Sequence, residues 1–562
     1  MRCSHYFYLC HQKKERIQLN KMTNIPLQIL KTYYSISPTE ITQMDGYETW
    51  NFKIKTKNKK YVLKIYPHSE NLQFLNATNA VLEKLSDNFP KNIPAIDGKK
   101  IITHEVENEI YHALLLTYLE GDFLGKIKTD ASLLESFGFF LGKMDNVLRS
   151  LRSPIIEARI QNWDLQHCLM NAPKINLITD HSRRRLVQYF FQEYKETVLP
   201  LQYQLRKSII HSDANDWNVL TQNGKVTAMI DFGDIAYSYL INELAIAIPY
   251  AIFGKKNPIE AACAIIKGYH QQLPLEENEL DILYYLIAAR LCVSLINSTE
   301  QQAQHPDNQY ITISQKPAWE LLEKWITINP FFAKSEFRKT CGYKSNLFTK
   351  KENLISQRHR FFSEALSVSY DTPIHFEKAA LQYMYAADGN TYLDAYNNIK
   401  HVGHCHPKVV NALQRQAANL NTNTRYLYEN LTSYADQLLK HFPKKLNKIF
   451  FVNSGSAATD LALRIARTHT GNQNMLVMEE GYHGNTSAAI EVSHYKFGHQ
   501  GGMGEPAFTH TVPTPTIHLQ NKLLTKTSWK ANILLSLSQA SKNGLAGFIA
   551  EPILGCAGQM PL

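Results

Sequence analysis

At 562 residues the chain exceeds what one hydrophobic core organises, so several domains are expected. Hydrophobic residues at 44% and charged residues at 20% suit an ordinary globular protein, and no run approaches the roughly 18 apolar residues of a membrane helix. The formal charge of +10 is modest over this length and forms no basic stripe interleaved with aromatics, which argues against nucleic acid and leaves phosphorylated ligands as the expected anions.

Residues 1–23 place one short apolar patch before basic residues, the wrong order for a secretory signal. They read as an extension, either disordered or upstream of a start at Met22. Residues 24–118 read as a β-rich lobe. Within it Trp50–Lys55 and Tyr61–Tyr66 alternate, and the polar "TKNKK" between them suits a hairpin turn. Gly46, just before the first run, suits a turn or a backbone nest for an anion. Lys64 interrupts the apolar "YVLKIY", where a lysine is ordinarily an edge or outward residue. "HALLLTYLEGDFLG" reads as a buried strand with a polar exit. From residue 131 the period becomes helical, with Leu133, Phe137, Leu141 and Met144 on one face.

"IIHSDANDWNVL" and "VTAMIDFGD" follow, each with polar groups set between apolar runs. Carboxylates carried between buried strands are costly unless something uses them. For any one residue, an Asx turn is the commoner explanation. The ordered pair, with strands on each side, points instead to phosphoryl transfer. That chemistry needs a base, here Asp213, and metal ligands, here Asn218 and Asp231. "INELAIAIPYAIFG" and "ELDILYYLIAARLCVSLINS" continue as helices. Arg290 lies in the second, to pair with a substrate carboxylate or internally, for instance with Glu243.

The His-x-Asp-x-x-x-x-Asn loop followed by Asp-Phe-Gly-Asp resembles the aminoglycoside phosphotransferase and homoserine-kinase-like superfamily, including hydroxylysine-kinase-like proteins. The resemblance implies an α+β protein-kinase-like bilobal fold, with an N-lobe over 24–118 and a C-lobe over 119–330. It implies ATP and Mg²⁺, with Lys64 gripping phosphate and a helix glutamate beside it; Glu70 and Glu83 both remain open. Backbone groups near Thr117 and Leu119 would hold adenine, and Trp163 of "NWDLQH" would shape the acceptor pocket or pack in the core. Ser212 departs from the family's His-Gly-Asp and disfavours the positive φ that glycine takes there.

Residues 331–352 are Lys-rich with few periodic apolar positions and read as a linker. Beyond them "AADGNTYLDAY" is a hairpin signal, and a helix begins after Pro407. "KIFFVNSGSAATDLALRIARTHTG" reads strand, tight turn, helix, with Ala458, Ala462, Ile465 and Ala466 on one helix face. Gly455 and Ser456 open that helix, where N–H groups meet an anion. "NMLVMEEGYHG" and "LAGFIAEPILG" give strands ending at Tyr482-His483 and Glu551, an α/β pattern with polar groups at the carboxyl ends of strands. The eight cysteines are scattered with no C-x-x-C, as in free thiols of a reducing cytoplasm. Cys405, between two histidines, lacks further metal ligands at suitable spacing.

Residues 353–562 resemble class III pyridoxal-phosphate (PLP) enzymes, on "NNIKHVGHCHPKVV", "LNTNTRYLYENL" and "VNSGSAATDLALRIARTHTG". The branch they resemble contains alanine–glyoxylate-type aminotransferases and phospho-lyases. The resemblance implies an incomplete α/β fold type I PLP-transferase domain. In it Gly455 and Ser456 bind the cofactor phosphate, Tyr482 stacks on the ring beside His483, and Glu551 lies next to substrate. Ala457-Ala458-Thr459 stands where the family has Glu-Ala-Asn. The family's Schiff-base lysine and pyridinium aspartate lie further on, so this half is expected to be truncated and inactive alone, a fragment or part of a split enzyme. It would act, if at all, as a homodimer or with a complementing C-terminal piece. The expected whole is a bifunctional fusion: a kinase of a small hydroxylated amine or amino acid joined to an enzyme that removes phosphate. The alternatives are an aminoglycoside kinase and a non-catalytic subunit.

Overall fold

Hairpin chemistry builds the first sheet. The structure, a computed structural model, describes residues 24–561 apart from 45–48, 68–70, 107–108, 305–314, 346, 348–350, 398–399, 516–524 and 543. The two alternating runs pair antiparallel as β2 (Trp50–Lys55) and β3 (Lys60–Pro67), after β1 (Glu40–Met44). The turn between them closes with Thr56 N–H on the Lys59 carbonyl. β3 pairs on its other side with β6 (Glu109–Thr117), which also takes β4 (Asn92–Ile93) and β5 (Ile102–Val106). Phe52, Ile54, Leu63 and Ile65 bury one face of this sheet. Side chains alternate along a strand, so Lys64 falls on the opposite face, with Tyr66.

The next elements are helical, with a short sheet between. Leu133, Phe137, Leu141 and Met144 are buried along helix Ala131–Leu148, as their spacing predicts. Gly138 of this helix and Gly268 of helix Pro258–Gln272 allow backbone contact; a Cβ on either would strike the other helix's carbonyl oxygen. β7 (Asp122–Phe123) pairs with β9 (Val219–Gln222), β9 with β10 (Lys225–Met229), and β8 (Lys207–Ile210) with β11 (Ala236–Tyr239). The loops after β8 and after β10 carry the two polar motifs. Helices Asn242–Ala251 and Glu277–Gln304 complete the core.

The stretch read as a linker begins differently. Pro330–Thr340 is a helix with Ala333 and Phe337 fully buried, started by the Asn329 side chain on the Phe331 N–H at 2.8 Å. Its abundant lysines hide a two-residue apolar stripe, and Arg338 is satisfied by Asp281 at 2.7 Å. Asn329 also donates to the Ala386 and Asn390 carbonyls, both at 2.8 Å. These belong to a hairpin, β12 (Phe376–Ala380), β13 (Tyr383–Ala386) and β14 (Thr391–Leu393). Tyr385 is buried with its hydroxyl on the Ile326 carbonyl at 2.6 Å, and Lys378 bonds Glu193 and Tyr285. The hairpin is thus built into the first compact unit, which extends to Asn421. Helix Pro407–Asn419 follows the expected proline.

The second unit, Thr422–Leu562, holds a parallel sheet with β15 (Asn474–Met478) between β16 (Thr509–Val512) and β17 (Leu545–Ile549). One expectation fails there. Lys448–Val452 is not a strand; Phe450, Phe451 and Val452 are exposed, and among the described residues nothing pairs with their backbone. Helix Gly455–Thr470 buries Leu463, while Ala458, Ala462 and Ile465 are exposed. Apolar periodicity marks a face able to be buried, but only a neighbouring element buries it. Among the described residues no helix is long and apolar enough to cross a membrane.

Candidate active site

The β8 and β10 ends meet through one buried ring. His211 Nδ1 accepts the Asp213 N–H at 3.2 Å, and Nε2 lies 3.0 Å from the Ile230 carbonyl. Burial pushes this imidazole down to about 4, so the neutral ring accepts at Nδ1 and donates at Nε2. The His211 N–H donates to Glu243 Oε2 at 2.6 Å, and the Ile230 N–H to the Asn218 carbonyl at 2.9 Å. Two residues bear strain for this geometry: Ser212 at φ +68° and Asp231 at φ +64°. A left-handed non-glycine costs roughly 1–2 kcal/mol. Ser212 does adopt the conformation that its residue type disfavours, and its buried hydroxyl finds no partner.

Asp213 sits among donors. Its Oδ1 accepts from Arg290 Nη2 at 3.0 Å, and its Oδ2 from Asn215 Nδ2 at 2.9 Å and Asn218 Nδ2 at 2.8 Å. Burial nevertheless raises its carboxyl to about 7, against the Arg290 charge and with Asp234 adding to the rise. Arg290 is itself buried, stands 5.0 Å over the Trp163 ring, and donates from Nε to the Tyr250 hydroxyl at 3.1 Å. Its internal partner is therefore Asp213, and Glu243 serves the His211 backbone instead.

Lys64 crosses from β3 to the second loop and donates to Asp231 Oδ1 at 2.7 Å. Burial disfavours the ammonium, but the Asp231 charge outweighs it and raises Lys64 above its ordinary value. Lys64 in turn holds Asp231 below the usual carboxylate range. Of the two helix glutamates, Glu83 is exposed and pairs with Lys100, not Lys64; Glu70 lies outside the described residues, as does Gly46. Thr117 ends β6 with its N–H on the Lys91 carbonyl at 2.9 Å, and the half-buried Leu119 follows it. The Thr117 N–H is thus already engaged within the lobe.

Residues 40–280 match the family model of the phosphotransferase enzyme family, and residues 365–562 that of class III aminotransferases. The chain thus carries one stretch similar to the phosphotransferase enzyme family and a second similar to class III aminotransferases. Hydroxylysine kinase of Danio rerio is 25% identical over 55% of this chain and 95% of its own length. The alanine–glyoxylate aminotransferase 2-like protein of Drosophila melanogaster is 36% identical over 37% of this chain and 44% of its own. Ethanolamine-phosphate phospho-lyase homolog 1 of Caenorhabditis elegans is 34% identical over 37% and 48%. The chain spans about half the length of the two aminotransferase-class relatives.

The class III candidates also converge, within the second unit. The Asn485 N–H donates to Ser456 Oγ at 3.0 Å, and a Cβ on Gly484 would lie 2.8 Å from Ser456 Cα. The Tyr482 N–H donates to Glu551 Oε2 at 2.8 Å, and the His483 N–H to Ser493 Oγ at 2.8 Å. His483 Nε2 is buried without a partner, and the space above Gly455 is open. First-turn N–H groups at Gly455 and Ser456 have no intrahelical acceptor.

Asn215, a third donor to Asp213, escaped the sequence reading. Its only signal was a further amide inside the polar loop.

Proposed function

We propose that the first unit transfers the terminal phosphoryl group of ATP to the hydroxyl of a small hydroxylated amine or amino acid. The observation that carries this reading is the convergence of Lys64, Asp213, Asn218 and Asp231 on two adjoining loops. Asp213 takes the hydroxyl proton. Lys64 holds a phosphate oxygen once ATP competes for its ammonium. Asn218 spends its amide nitrogen on Asp213, which leaves its side-chain oxygen for a cation, and Asp231 keeps Oδ2. This donor set fits Mg²⁺, which when bound neutralises charge on the phosphates.

The hydroxylysine kinase likeness supports a hydroxylated amino acid as acceptor. The test is ADP release by the purified chain against a panel of hydroxy-amines and hydroxy amino acids, with Asp213→Asn as control. Acceptor-dependent turnover that the variant loses is the expected result; no turnover with any acceptor overturns it.

For the second unit we propose PLP binding, with the phosphate at the Gly455–Ser456 helix start, the ring against Tyr482 and His483, and Glu551 beside the substrate. The unpartnered His483 Nε2 and the open space above Gly455 fit this group. When bound, PLP supplies an electron sink. Equilibrium dialysis with pyridoxal phosphate, against Ser456→Tyr, checks it; equal retention by both proteins overturns this placement.

A further inference from the structure

The turn after β15 holds a cluster that neither proposed site uses. Among the described residues, Glu480, His494 and His499 offer ligand atoms that all lie within 4.8 Å of one another. Glu480 follows the strand at φ +66°, and His494 opens the short helix His494–Phe497. His499 Nε2 stands 2.9 Å and 3.0 Å from the two Glu480 oxygens, and His494 Nδ1 stands 3.5 Å from Glu480 Oε1. Two ligands at 2.0–2.2 Å on one tetrahedral ion are separated by ~3.3 Å, so these spacings bracket the edges of a zinc polyhedron.

We propose that Glu480, His494 and His499 bind a divalent transition-metal ion, zinc best by ligand type. Two imidazoles and one carboxylate are ligands that zinc accepts, and water completes the fourth position. The residues need little movement. The backbone already ties the two segments together through the Tyr495 N–H on the Gly481 carbonyl at 3.2 Å, and the Gly502 N–H on the His499 carbonyl at 2.9 Å closes the turn that His499 opens. His494 Nδ1 accepts the Glu480 N–H at 3.1 Å, so that nitrogen carries a lone pair, which the N–H now occupies. On ligation the ion replaces that N–H, which turns to water at this part-exposed turn. The proton between His499 Nε2 and Glu480 leaves to solvent. Bound metal would clamp the segment that carries Tyr482 and His483, and so fix the wall proposed to meet the PLP ring.

The experiment is calorimetric titration of the full-length, chelator-treated chain with ZnCl₂, repeated with CoCl₂ to read the visible bands of tetrahedral cobalt. The expected result is a binding component that His499→Ala and the isosteric Glu480→Gln each weaken at least about tenfold, while His469→Ala leaves it unchanged. Cys3, His5, Cys10 and His11 are other ligands near the start of the chain, so a Cys3→Ser/Cys10→Ser protein must retain the component. Identical titrations for wild type and His499→Ala, or loss of all binding in the double cysteine variant, overturn the proposal. Circular dichroism matching wild type separates a lost ligand from a lost fold.

Discussion

The two candidate sites rest on unequal foundations. In the first unit, the apolar cluster that backs Asp213 and His211 runs from Phe74 to Tyr385 and includes Ile209, Ile210, Phe232 and half of helix Glu277–Gln304. In the second unit, β15 is covered by small clusters around Val477 and Leu476, and Phe450, Phe451, Leu534 and Leu535 remain exposed. The deep core does more than hold the first site together. It strips water from Asp213, Glu243 and His211, and so shifts their proton affinities. At the second site burial lowers His483. A site's electrostatics are therefore set by how much apolar material the fold places behind it.

The largest expected effect tests whether the buried site works. Asp213→Asn should lower kcat by about 10²–10⁴-fold in a protein whose circular dichroism still matches wild type, as loss of a general base requires. Next is the claim that the first unit includes the β12–β14 hairpin. Tyr385→Ala should destabilise that unit by about 3–5 kcal/mol, read as a lower urea midpoint with unchanged slope. A shift below about 0.5 kcal/mol would detach the hairpin from the core.

Third, the Asp213 carboxyl raised to about 7 predicts a kcat/KM profile that falls as pH drops through that value, because the base must be ionised. Arg290 favours the anion. Arg290→Met should therefore move the acid limb to higher pH by roughly one unit, and Arg290→Lys should restore part of it. Fourth, Ser212→Gly should stabilise the first unit by about 1 kcal/mol, since glycine takes φ +68° without a Cβ clash and removes an unpaired hydroxyl. Last, Ile465→Ser in the second unit should change stability by less than about 0.5 kcal/mol, because its side chain is exposed. A larger loss would show that this face is covered in solution.

Much of this was legible locally. The hairpin around Thr56–Lys59, the helix carrying Leu133 and Phe137, and the strands entering His211 and Asp231 follow from period and turn chemistry, which act over a few residues. The failures share a cause. The Pro330–Thr340 helix looked like a linker because few of its residues are apolar at helical spacing, and its buried Ala333 and Phe337 only matter against neighbouring helices. Lys448–Val452 looked like a strand because its residues favour pleated backbone, yet a strand needs a partner. Glu83 stood at a plausible distance along the chain from Lys64, but its helix turns it toward Lys100.

The residues proposed to carry the chemistry, and their order along the chain, were determined by the sequence alone: Lys64 in an apolar strand, Asp213 and Asn218 in one loop, Asp231 in the next. Their partners were decided only by tertiary structure. That Lys64 meets Asp231, that Arg290 meets Asp213 rather than Glu243, and that Ser212 accepts a left-handed backbone depend on contacts between segments tens to hundreds of residues apart. Periodicity reports which side of an element is apolar; the identity of a buried charge's partner depends on which other element packs there.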